Sequence, residues 1–438
     1  MTNARKIALD LLVRVQQSDS YINLLMPKVL GQGELSDADR GLIQELSYGS
    51  LRWRAQYDAF IDQFTTGKTL SHQLRFALQL GMHQLFRMRV PAHAAIHESV
   101  EIVKEIEPRA AGLANAVLRN ADRKGFSALL ADSLKGRSEI EAMAIEYSHP
   151  VWVVQALKQA LELDGRGDQL RELLESNNET PVVNLAVLDD AARDYLESQG
   201  LEKGGASPIG YLLHGNPEPL LETPGVRVQD QGSQLVALAL LEVGNKEGRW
   251  LDMCSGPGGK SAILQAGIAS SGGVLDCMEP VPQRAELVKK ALSDASETHV
   301  IVDYGQNAQK RKYDAVLLDA PCSGLGSVRR KPESRWRKEP SQLPNLTQIQ
   351  AELLQAGIDA LKPGGYLLYS TCSPLIPETN TQVKIALENN PGLELIDAKS
   401  VLGNLSPELN LNNQRKTVQL WTHEHSTDAM FMAILRKP

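Results

Sequence analysis

Two cysteines in the second half of the chain stand where their thiols could do chemistry. An apolar run ends at Asp319, and Ala-Pro-Cys322-Ser-Gly follows it; Cys372 follows a second apolar run, between Thr and Ser. Open α/β sheets bind ligands at the carboxyl ends of their strands, so an acid and two thiols at such ends indicate a reaction site. A thiolate is a good nucleophile for covalent catalysis. Spacing alone leaves open which cysteine attacks.

A glycine-rich segment, Cys254-Ser-Gly-Pro-Gly-Gly-Lys260, follows another predicted strand and precedes a helix. Gly256, Gly258 and Gly259 allow a close approach of the backbone to a ligand, and the helix N-terminus favours a polar or anionic group. The spacing differs from the P-loop and from G-x-G-x-x-G. A nucleotide-type cofactor is therefore expected, but the loop does not identify which class of nucleotide it is.

Acids follow the next two predicted strands. Glu279 ends the second strand, where a carboxylate suits a ribose diol, and Asp276 lies two positions too early if that strand runs to Met278. Asp303 follows the third strand and could accept a hydrogen bond from an adenine amine. A salt-bridged surface acid is the alternative for each residue alone. Together with the glycine loop, the acids favour a cofactor that carries adenosine.

Strands and helical segments alternate from about residue 226, which predicts an α/β, doubly wound and mostly parallel sheet in a domain of residues 226–438. The predicted strands are Trp250–Met253, Gly273–Met278, His299–Val302, Ala315–Leu318, Tyr366–Ser370, Glu394–Asp397 and Ala429–Leu435. Residues 146–225 mix short helices, a strand at Val182–Val187 and a loop-rich stretch, which predicts a small α+β linker domain.

Residues 1–145 are predicted to be wholly helical. Apolar residues recur at helical spacing from Ile7 to Val15, and Ser36 with Asp39 signals the start of a second helix. Further helical patterns cover Tyr57–Phe64, Leu70–Phe86, Ala94–Ile106 and Ala111–Asn120. Because the connections are short, a compact helical bundle is expected.

Composition and charge limit the classes of function that the sequence is compatible with. No apolar run approaches the length of a membrane span, and the N-terminus has no apolar signal core, so a cytoplasmic protein without a membrane partner is expected. The four cysteines form no C-x-x-C pair, which argues against zinc and disulfides, and no metal site is expected. The net charge is −7, but residues 1–150 carry 18 Lys and Arg against 17 Asp and Glu, a net charge of +1.

Three motifs resemble those of the S-adenosylmethionine-dependent RNA 5-methylcytosine methyltransferases: Cys254-Ser-Gly-Pro-Gly-Gly-Lys260, Asp319-Ala-Pro-Cys-Ser323 and Ser370-Thr-Cys-Ser373. Most of residues 1–125 resembles the NusB-like RNA-binding domain, for example Leu42-Ile-Gln-Glu-Leu-Ser-Tyr-Gly-Ser-Leu-Arg52. A NusB-like domain in front is typical of the RsmB (Sun/Fmu) branch, which acts on small-subunit (16S) ribosomal RNA. The resemblance implies a Rossmann-like methyltransferase domain, S-adenosyl-L-methionine as cofactor and unassembled 16S rRNA as partner; a monomer is expected.

The resemblance also implies roles for individual residues. Cys372 is the nucleophile that adds to carbon 6 of cytosine, Cys322 assists product release, and Asp319 hydrogen-bonds the base, with Lys260 as a nearby positive charge. The cofactor is surrounded by Cys254, Ser255, Gly256, Pro257, Gly258, Gly259, Lys260, Glu279, Asp303 and Asp319. Within Pro377-Glu-Thr-Asn380, Asn380 is expected to be the polar group of the site wall.

A basic segment, residues 329–338, contains six basic residues and one acid. Its guanidinium and ammonium groups could contact phosphates, and its tryptophan could stack on an unpaired base. The predicted RNA-binding residues are Arg329, Arg330, Lys331, Arg335 and Trp336. A solvated basic loop is the alternative.

Other functions stay open at this stage. A tRNA target is one alternative, and an RNA-binding or antitermination-type factor with an idle methyltransferase fold is another. A nitrogen methyltransferase is disfavoured because such enzymes need no thiols. Departures from the family pattern at Ser255-Gly256, at residues 181–187, in the shortened approach to residues 228–233 and at residues 428–431 put the RNA contacts and target cytosine in doubt.

Overall fold

A computed structural model describes residues 3–18, 20–31, 35–292, 297–411 and 414–438. The chain forms two compact units. The first unit comprises Met1–Ala156 and Val328–Arg337, and the second comprises Leu157–Ser327 and Lys338–Pro438. No helix within the described ranges is both long and apolar enough to cross a membrane.

The N-terminal part of the chain is helical, as the apolar periodicity predicted. Its α-helices are α1 (Ala4–Gln17), α2 (Ile22–Leu30), α3 (Asp37–Arg52), α4 (Arg54–Asp62), α5 (His72–Arg87), α6 (Ala92–Ile106), α7 (Ala111–Lys124), α8 (Phe126–Leu134), α9 (Glu139–Glu146) and α10 (Val151–Leu163). Ser36 caps α3 by accepting a hydrogen bond from the Asp39 amide, the start signal read from the sequence. The core includes edge-to-face contacts of Phe60 with Phe86 and Phe126.

A small antiparallel sheet follows. Its strands are β1 (Val183–Val187), β2 (Glu202–Lys203), β3 (Gly210–Leu213) and β4 (Val226–Val228), in the order β2-β3-β1-β4, with α11 (Leu170–Ser176) and α12 (Asp190–Ser198) beside them in the chain and α13 (Gln231–Val243) after them. Gln231, at the start of α13, accepts hydrogen bonds from the amides of Ala206 and Ser207 and donates one to Asn184. This side chain joins α13 to the small sheet.

The C-terminal part contains the predicted parallel sheet. Its strands are β5 (Arg249–Asp252), β6 (Val274–Met278), β7 (Thr298–Ile301), β8 (Tyr313–Asp319), β9 (Leu361–Thr371), β10 (Glu394–Ile396), β11 (Val418–Gln419) and β12 (Phe431–Arg436). The remaining helices are α14 (Gly259–Ala269), α15 (Pro282–Ala291), α16 (Ser334–Arg337), α17 (Leu343–Ala360), α18 (Asn380–Asn389), α19 (Ala398–Leu405) and α20 (Thr422–His425).

The strand order is β10-β12-β9-β8-β5-β6-β7, and β11 pairs with β12. Strands β5 to β9 pair in parallel, whereas β12 is antiparallel to β9 and β10. The order proceeds from β5 towards β7 in one direction and from β8 towards β9 in the other, so the topological switch point lies between β5 and β8. Ligands bind at the carboxyl edge at such a point.

The basic segment belongs to a different unit from the strands on either side of it. Residues 328–337, including α16, lie between β8 and β9 in the chain but belong to the first unit. Arg337 donates hydrogen bonds to the carbonyl oxygens of Val15, Ser18 and Ser20. These contacts join residues distant in sequence, which hydrophobic periodicity cannot reveal.

Candidate active site

The predicted site residues of the second unit meet at the carboxyl edge of the large sheet. Strand β5 ends at Asp252, β8 at Asp319 and β9 at Thr371. Asp319 lies opposite Ser370 in the parallel register of β8 and β9, so the loops that follow these strands begin side by side. This register brings Cys322 and Cys372 together although fifty residues separate them.

The two thiols form a pair. The Cys322 Sγ and Cys372 Sγ atoms lie 3.4 Å apart, and both residues are half-buried. The hydrogen bond with Cys372, together with burial, raises the pKa of the Cys322 thiol well above its usual value. Cys322 is therefore a protonated thiol at neutral pH, and its S–H can donate to the sulfur of Cys372.

Lys260 and Asp319 form an ion pair beside the thiols. The Lys260 Nζ atom lies 2.7 Å from Asp319 Oδ2 and 3.0 Å from Ser233 Oγ, and Ser370 Oγ donates to Asp319 Oδ1 at 2.9 Å. Burial lowers the pKa of Lys260, but the Asp319 carboxylate outweighs that effect and the pKa is raised; the charge of Cys372 acts in the same direction. A lysine held cationic near Cys372 favours the thiolate of that cysteine.

The glycine loop forms a narrow cradle between β5 and α14. Gly258 has φ +101°, and a Cβ atom there would lie 2.6 Å from the Ala291 Cβ, so a side chain would be both strained and crowded. A Cβ atom at Gly256 would lie 2.2 Å from Glu279 Oε2. The N-cap residue of α14 is Gly258, which has no side chain to bond the first amides of the helix, and free amides at a helix N-terminus suit a polar or anionic ligand.

The predicted acids differ in their surroundings. Glu279 is buried just after β6, accepts a hydrogen bond from the Val281 amide and lies beside the glycine loop, because Arg284 contacts both Glu279 and the Gly256 carbonyl. Asp303 is half-buried after β7, where it accepts hydrogen bonds from the Tyr304 amide and from Asn307.

Asp276, unlike Glu279 and Asp303, lies inside a strand and is hydrogen-bonded by side chains of strands β5 and β8. Strand β6 runs to Met278, so Asp276 lies within the strand, fully buried, where Arg249 and the Tyr313 hydroxyl donate hydrogen bonds to it. Its pKa is lowered because these hydrogen bonds outweigh the effect of burial.

Two acids of the site escaped the sequence reasoning. Asp252 is buried at the end of β5, accepts a hydrogen bond from Ser261 Oγ at 2.7 Å, and has its pKa raised by burial to about 6. Its position directly before the glycine loop was the available signal. Glu378 is fully buried and contacts both cysteine loops, whereas Asn380, the expected polar group, starts α18 and accepts a hydrogen bond from Thr417.

The predicted RNA-binding residues of the basic segment lie in the first unit and differ in exposure. Arg335 is fully buried and donates a hydrogen bond to the Ser148 carbonyl, and Arg329 is 7% exposed. Arg330 and Lys331 are half-buried, and the Trp336 indole is half-buried and donates to the Leu51 carbonyl. A phosphate contact requires a cation that reaches the protein surface. Of the five predicted RNA-binding residues, the half-buried Arg330 and Lys331 are therefore the candidates for such a contact.

Comparisons with known proteins agree with this fold. Residues 238–436 match the family described as 16S rRNA methyltransferase RsmB/F, and residues 2–123 match the NusB family. The Mycobacterium tuberculosis protein Rv1407 is 36% identical over 447 residues, which cover 99% of this chain and 96% of that protein. The ribosomal RNA small subunit methyltransferase B of Vibrio cholerae is 33% identical over 419 residues, which cover 90% of this chain and 91% of that protein.

A solved structure shares the fold along the whole chain. The crystal structure of PH0851 superposes with a TM-score of 0.79 at 20% sequence identity, covering 100% of this chain and 99% of that one. The fold, the full-length relatives and the two family matches together show that this chain belongs to the RsmB/F family of 16S rRNA methyltransferases, with a NusB-family region at its N-terminus.

Proposed function

We propose that this protein methylates carbon 5 of a cytosine in 16S rRNA through a covalent cysteine adduct, with S-adenosyl-L-methionine as methyl donor. One observation carries the proposal: two thiols 3.4 Å apart stand at the carboxyl edge of β8 and β9, beside a lysine–aspartate ion pair. Transfer to oxygen or nitrogen needs no thiol, whereas carbon 5 of cytosine is a poor nucleophile until a thiolate adds to carbon 6.

The cradle fits the proposed cofactor. Gly256 and Gly258 keep side chains out of the loop, the first amides of α14 suit the carboxylate of the methionyl part, and Glu279 suits the ribose diol. Asp303 is the candidate partner of the adenine amine. When bound, the cofactor supplies an electrophilic sulfonium methyl group.

Cys372 is the proposed nucleophile. Its sulfur forms a bond to carbon 6, which moves the electron pair of the carbon 5–carbon 6 double bond onto carbon 5. Lys260 and the Cys322 thiol stabilise the thiolate before the attack, the first by charge and the second by hydrogen bonding. The raised pKa of Cys322 disfavours that residue as the attacking thiolate.

Cys322 is proposed to assist release. After carbon 5 is methylated, its remaining proton passes to solvent water, and the electron pair of that C–H bond restores the double bond. The bond between Cys372 and carbon 6 breaks at the same time, and its electron pair returns to the Cys372 sulfur. The Cys322 thiol lies 3.4 Å from the Cys372 sulfur and can donate its proton to that sulfur as it departs. Asp319 is proposed to accept a hydrogen bond from the cytosine amino group and so to hold the base in place as the adduct forms.

The test uses Cys322→Ala and Cys372→Ala variants of the full chain with labelled cofactor and deproteinised 16S rRNA. We expect Cys372→Ala neither to methylate the RNA nor to trap it on a denaturing gel, and Cys322→Ala to accumulate a protein–RNA adduct. Cys277→Ala is the matched control, because that buried cysteine lies within β6 and away from the pair. An adduct formed by Cys372→Ala would refute the assignment of the nucleophile.

The same assay distinguishes the other functions. Methylation of tRNA but not of 16S rRNA would contradict the proposed substrate. If the wild-type protein binds RNA but does not methylate it, the methyltransferase domain is catalytically inactive. Bisulfite sequencing locates a cytosine that resists deamination, and mass spectrometry of the digested nucleosides distinguishes methylation at carbon 5 from transfer to a nitrogen. A parallel reaction with assembled small subunits tests the proposal that the free RNA is the substrate, which predicts that the particle reacts poorly.

A further inference from the structure

Glu378 is a buried carboxylate placed between the two cysteine loops. It ends the short turn Ile376–Glu378 after β9 and is fully shielded from solvent. Its Oε1 atom accepts hydrogen bonds from the Ser323 amide at 2.7 Å and from Gln350 Nε2 at 3.1 Å. Its Oε2 atom accepts from the hydroxyls of Ser323 at 2.6 Å and Ser373 at 2.5 Å. Both serines directly follow the reactive cysteines.

Neutral donors rather than a cation satisfy this carboxylate. In the described part of the chain, no lysine or arginine forms an ion pair with Glu378. All four groups around it are amides or hydroxyls that can donate, which suits an ionised acid because a carboxylate only accepts. Hydrogen bonds to a charged acceptor are shorter and stronger than neutral ones, so this arrangement holds its partners firmly.

The same network extends to the elements behind the loops. Gln350 in α17 also donates to the Pro321 carbonyl at 2.9 Å, and the Tyr369 hydroxyl donates to the Glu378 carbonyl at 2.7 Å. The pairing of β8 and β9 ends before either cysteine, since these strands stop at Asp319 and Thr371. Beyond the strands, a main-chain bond from Gly326 to Cys372 and the Glu378 network connect the two loops.

We propose that Glu378 is a positioning residue that sets the separation of the Cys322 and Cys372 thiols. The carboxylate fixes the residue after each cysteine, so losing it loosens both loops without removing either thiol. For the reaction, the inference rests on the proposed function. Loss of the Glu378 carboxylate should slow release more than attack by Cys372, because release needs both sulfur atoms at the correct separation.

The first measurement is independent of RNA chemistry. Diamide oxidises two neighbouring thiols to a disulfide and is itself reduced to a hydrazine, and peptide mapping by mass spectrometry identifies the bond. We expect the wild-type full chain to form the Cys322–Cys372 disulfide, and Glu378→Gln to form it about 10- to 100-fold more slowly, the factor that losing hydrogen bonds to a charged group commonly carries. Glu388→Gln, an exposed substitution in α18, should match the wild type.

Two further results make the inference falsifiable. Ser373→Ala removes one hydroxyl from the network and should slow the disulfide in the same direction but less, which covers the case in which Glu378→Gln folds poorly. With 16S rRNA, Glu378→Gln should accumulate adduct, with a larger loss in kcat than in the affinity for the cofactor. Wild-type disulfide rates in both variants would overturn the positioning role.

The two proposals fail separately. If the wild-type protein methylates no cytosine but its disulfide rate depends on Glu378, the positioning role stands and the proposed function falls. If methylation proceeds through Cys372 but neither variant changes the disulfide rate or the adduct level, the proposed function stands and the role of Glu378 falls.

Discussion

Residues 319–325 and residues 328–337 follow the same strand, β8, but they use their polar side chains in opposite ways. In the first stretch, Asp319 and Cys322 keep part of their surface accessible, and they contact the reactive groups Lys260 and Cys372. In the second stretch, guanidinium groups donate to main-chain carbonyls, and Arg335 has no exposed surface. The first stretch has the features of a reaction site and the second those of an anchor.

The difference teaches that residue type indicates chemistry only where the backbone leaves the group accessible. A run of arginines with a tryptophan is the composition of a nucleic-acid contact. In the first unit the same residues anchor the segment: Trp336 donates to the Leu51 carbonyl, and Glu333 accepts from the Ile22 amide. Four predictions test this comparison, from the largest expected effect to the smallest.

Asp319→Asn should reduce methylation of 16S rRNA by about 10²- to 10³-fold, the range found when one electrostatic contact to a reacting group is removed. The neutral amide cannot form the ion pair that holds Lys260 cationic, and it is a weaker hydrogen-bond acceptor for the cytosine amino group. Single-turnover rates measure the loss, and thermal unfolding should change little. Activity within threefold of the wild type would remove Asp319 from the reaction site.

Arg335→Ala should destabilise the first unit by about 3 kcal/mol, since it deletes a fully buried side chain and leaves the Ser148 carbonyl without its donor. Thermal unfolding of the full chain should show a fall of several degrees in Tm. The matched control is Lys338→Ala, a half-buried residue at the end of the basic segment. An unchanged Tm combined with weaker RNA binding would show that Arg335 contacts the substrate.

Iodoacetamide should modify Cys322 at least about tenfold more slowly than Cys372 at pH 7.5, because the thiolate reacts and each unit of raised pKa lowers the thiolate fraction tenfold. The pKa of Cys322 is raised well above its usual value by the bond to Cys372 and by burial. The rate for Cys322 should therefore climb only in strongly alkaline solution. Mass spectrometry measures the initial rate of modification of each cysteine. Equal rates at neutral pH would contradict the proposal that Cys372 is the nucleophile and that Cys322 assists release.

Lys331→Ala should weaken binding of 16S rRNA by a few-fold and lower the slope of log K against log salt by about one, as expected for one lost phosphate contact. The Lys331 side chain is half-buried and its Nζ lies 5.2 Å from the centre of the Tyr21 ring. Filter binding at several salt concentrations measures the slope. An unchanged slope would mean that Lys331 makes no phosphate contact.

Much of the architecture could be predicted because it depends on local patterns. The order of helices and strands follows from periods of 3.6 and 2 residues, and helix α3 begins at the cap that Ser36 and Asp39 signal. The end of β6 at Met278 likewise separates Glu279 from Asp276 by strand geometry alone. The two cysteine motifs could be placed at strand ends for the same reason.

Contacts between distant segments could not be predicted in this way. Asn380 and Glu378 are two residues apart in one polar turn, and only the tertiary structure shows that Glu378 faces both cysteine loops. The buried partners of Arg335 and Asp276 were hidden for the same reason.

The amino-acid sequence by itself determined the alternation of strands and helices, the glycine loop and the presence of an acid and two thiols at strand ends. Only the tertiary structure decided that the thiols lie 3.4 Å apart, that Glu378 connects their loops, and that the basic segment is an anchor of the first unit. The physical reason is that strand and helix formation depends on neighbours along the chain. Burial, hydrogen-bond partners and pKa depend on neighbours in space.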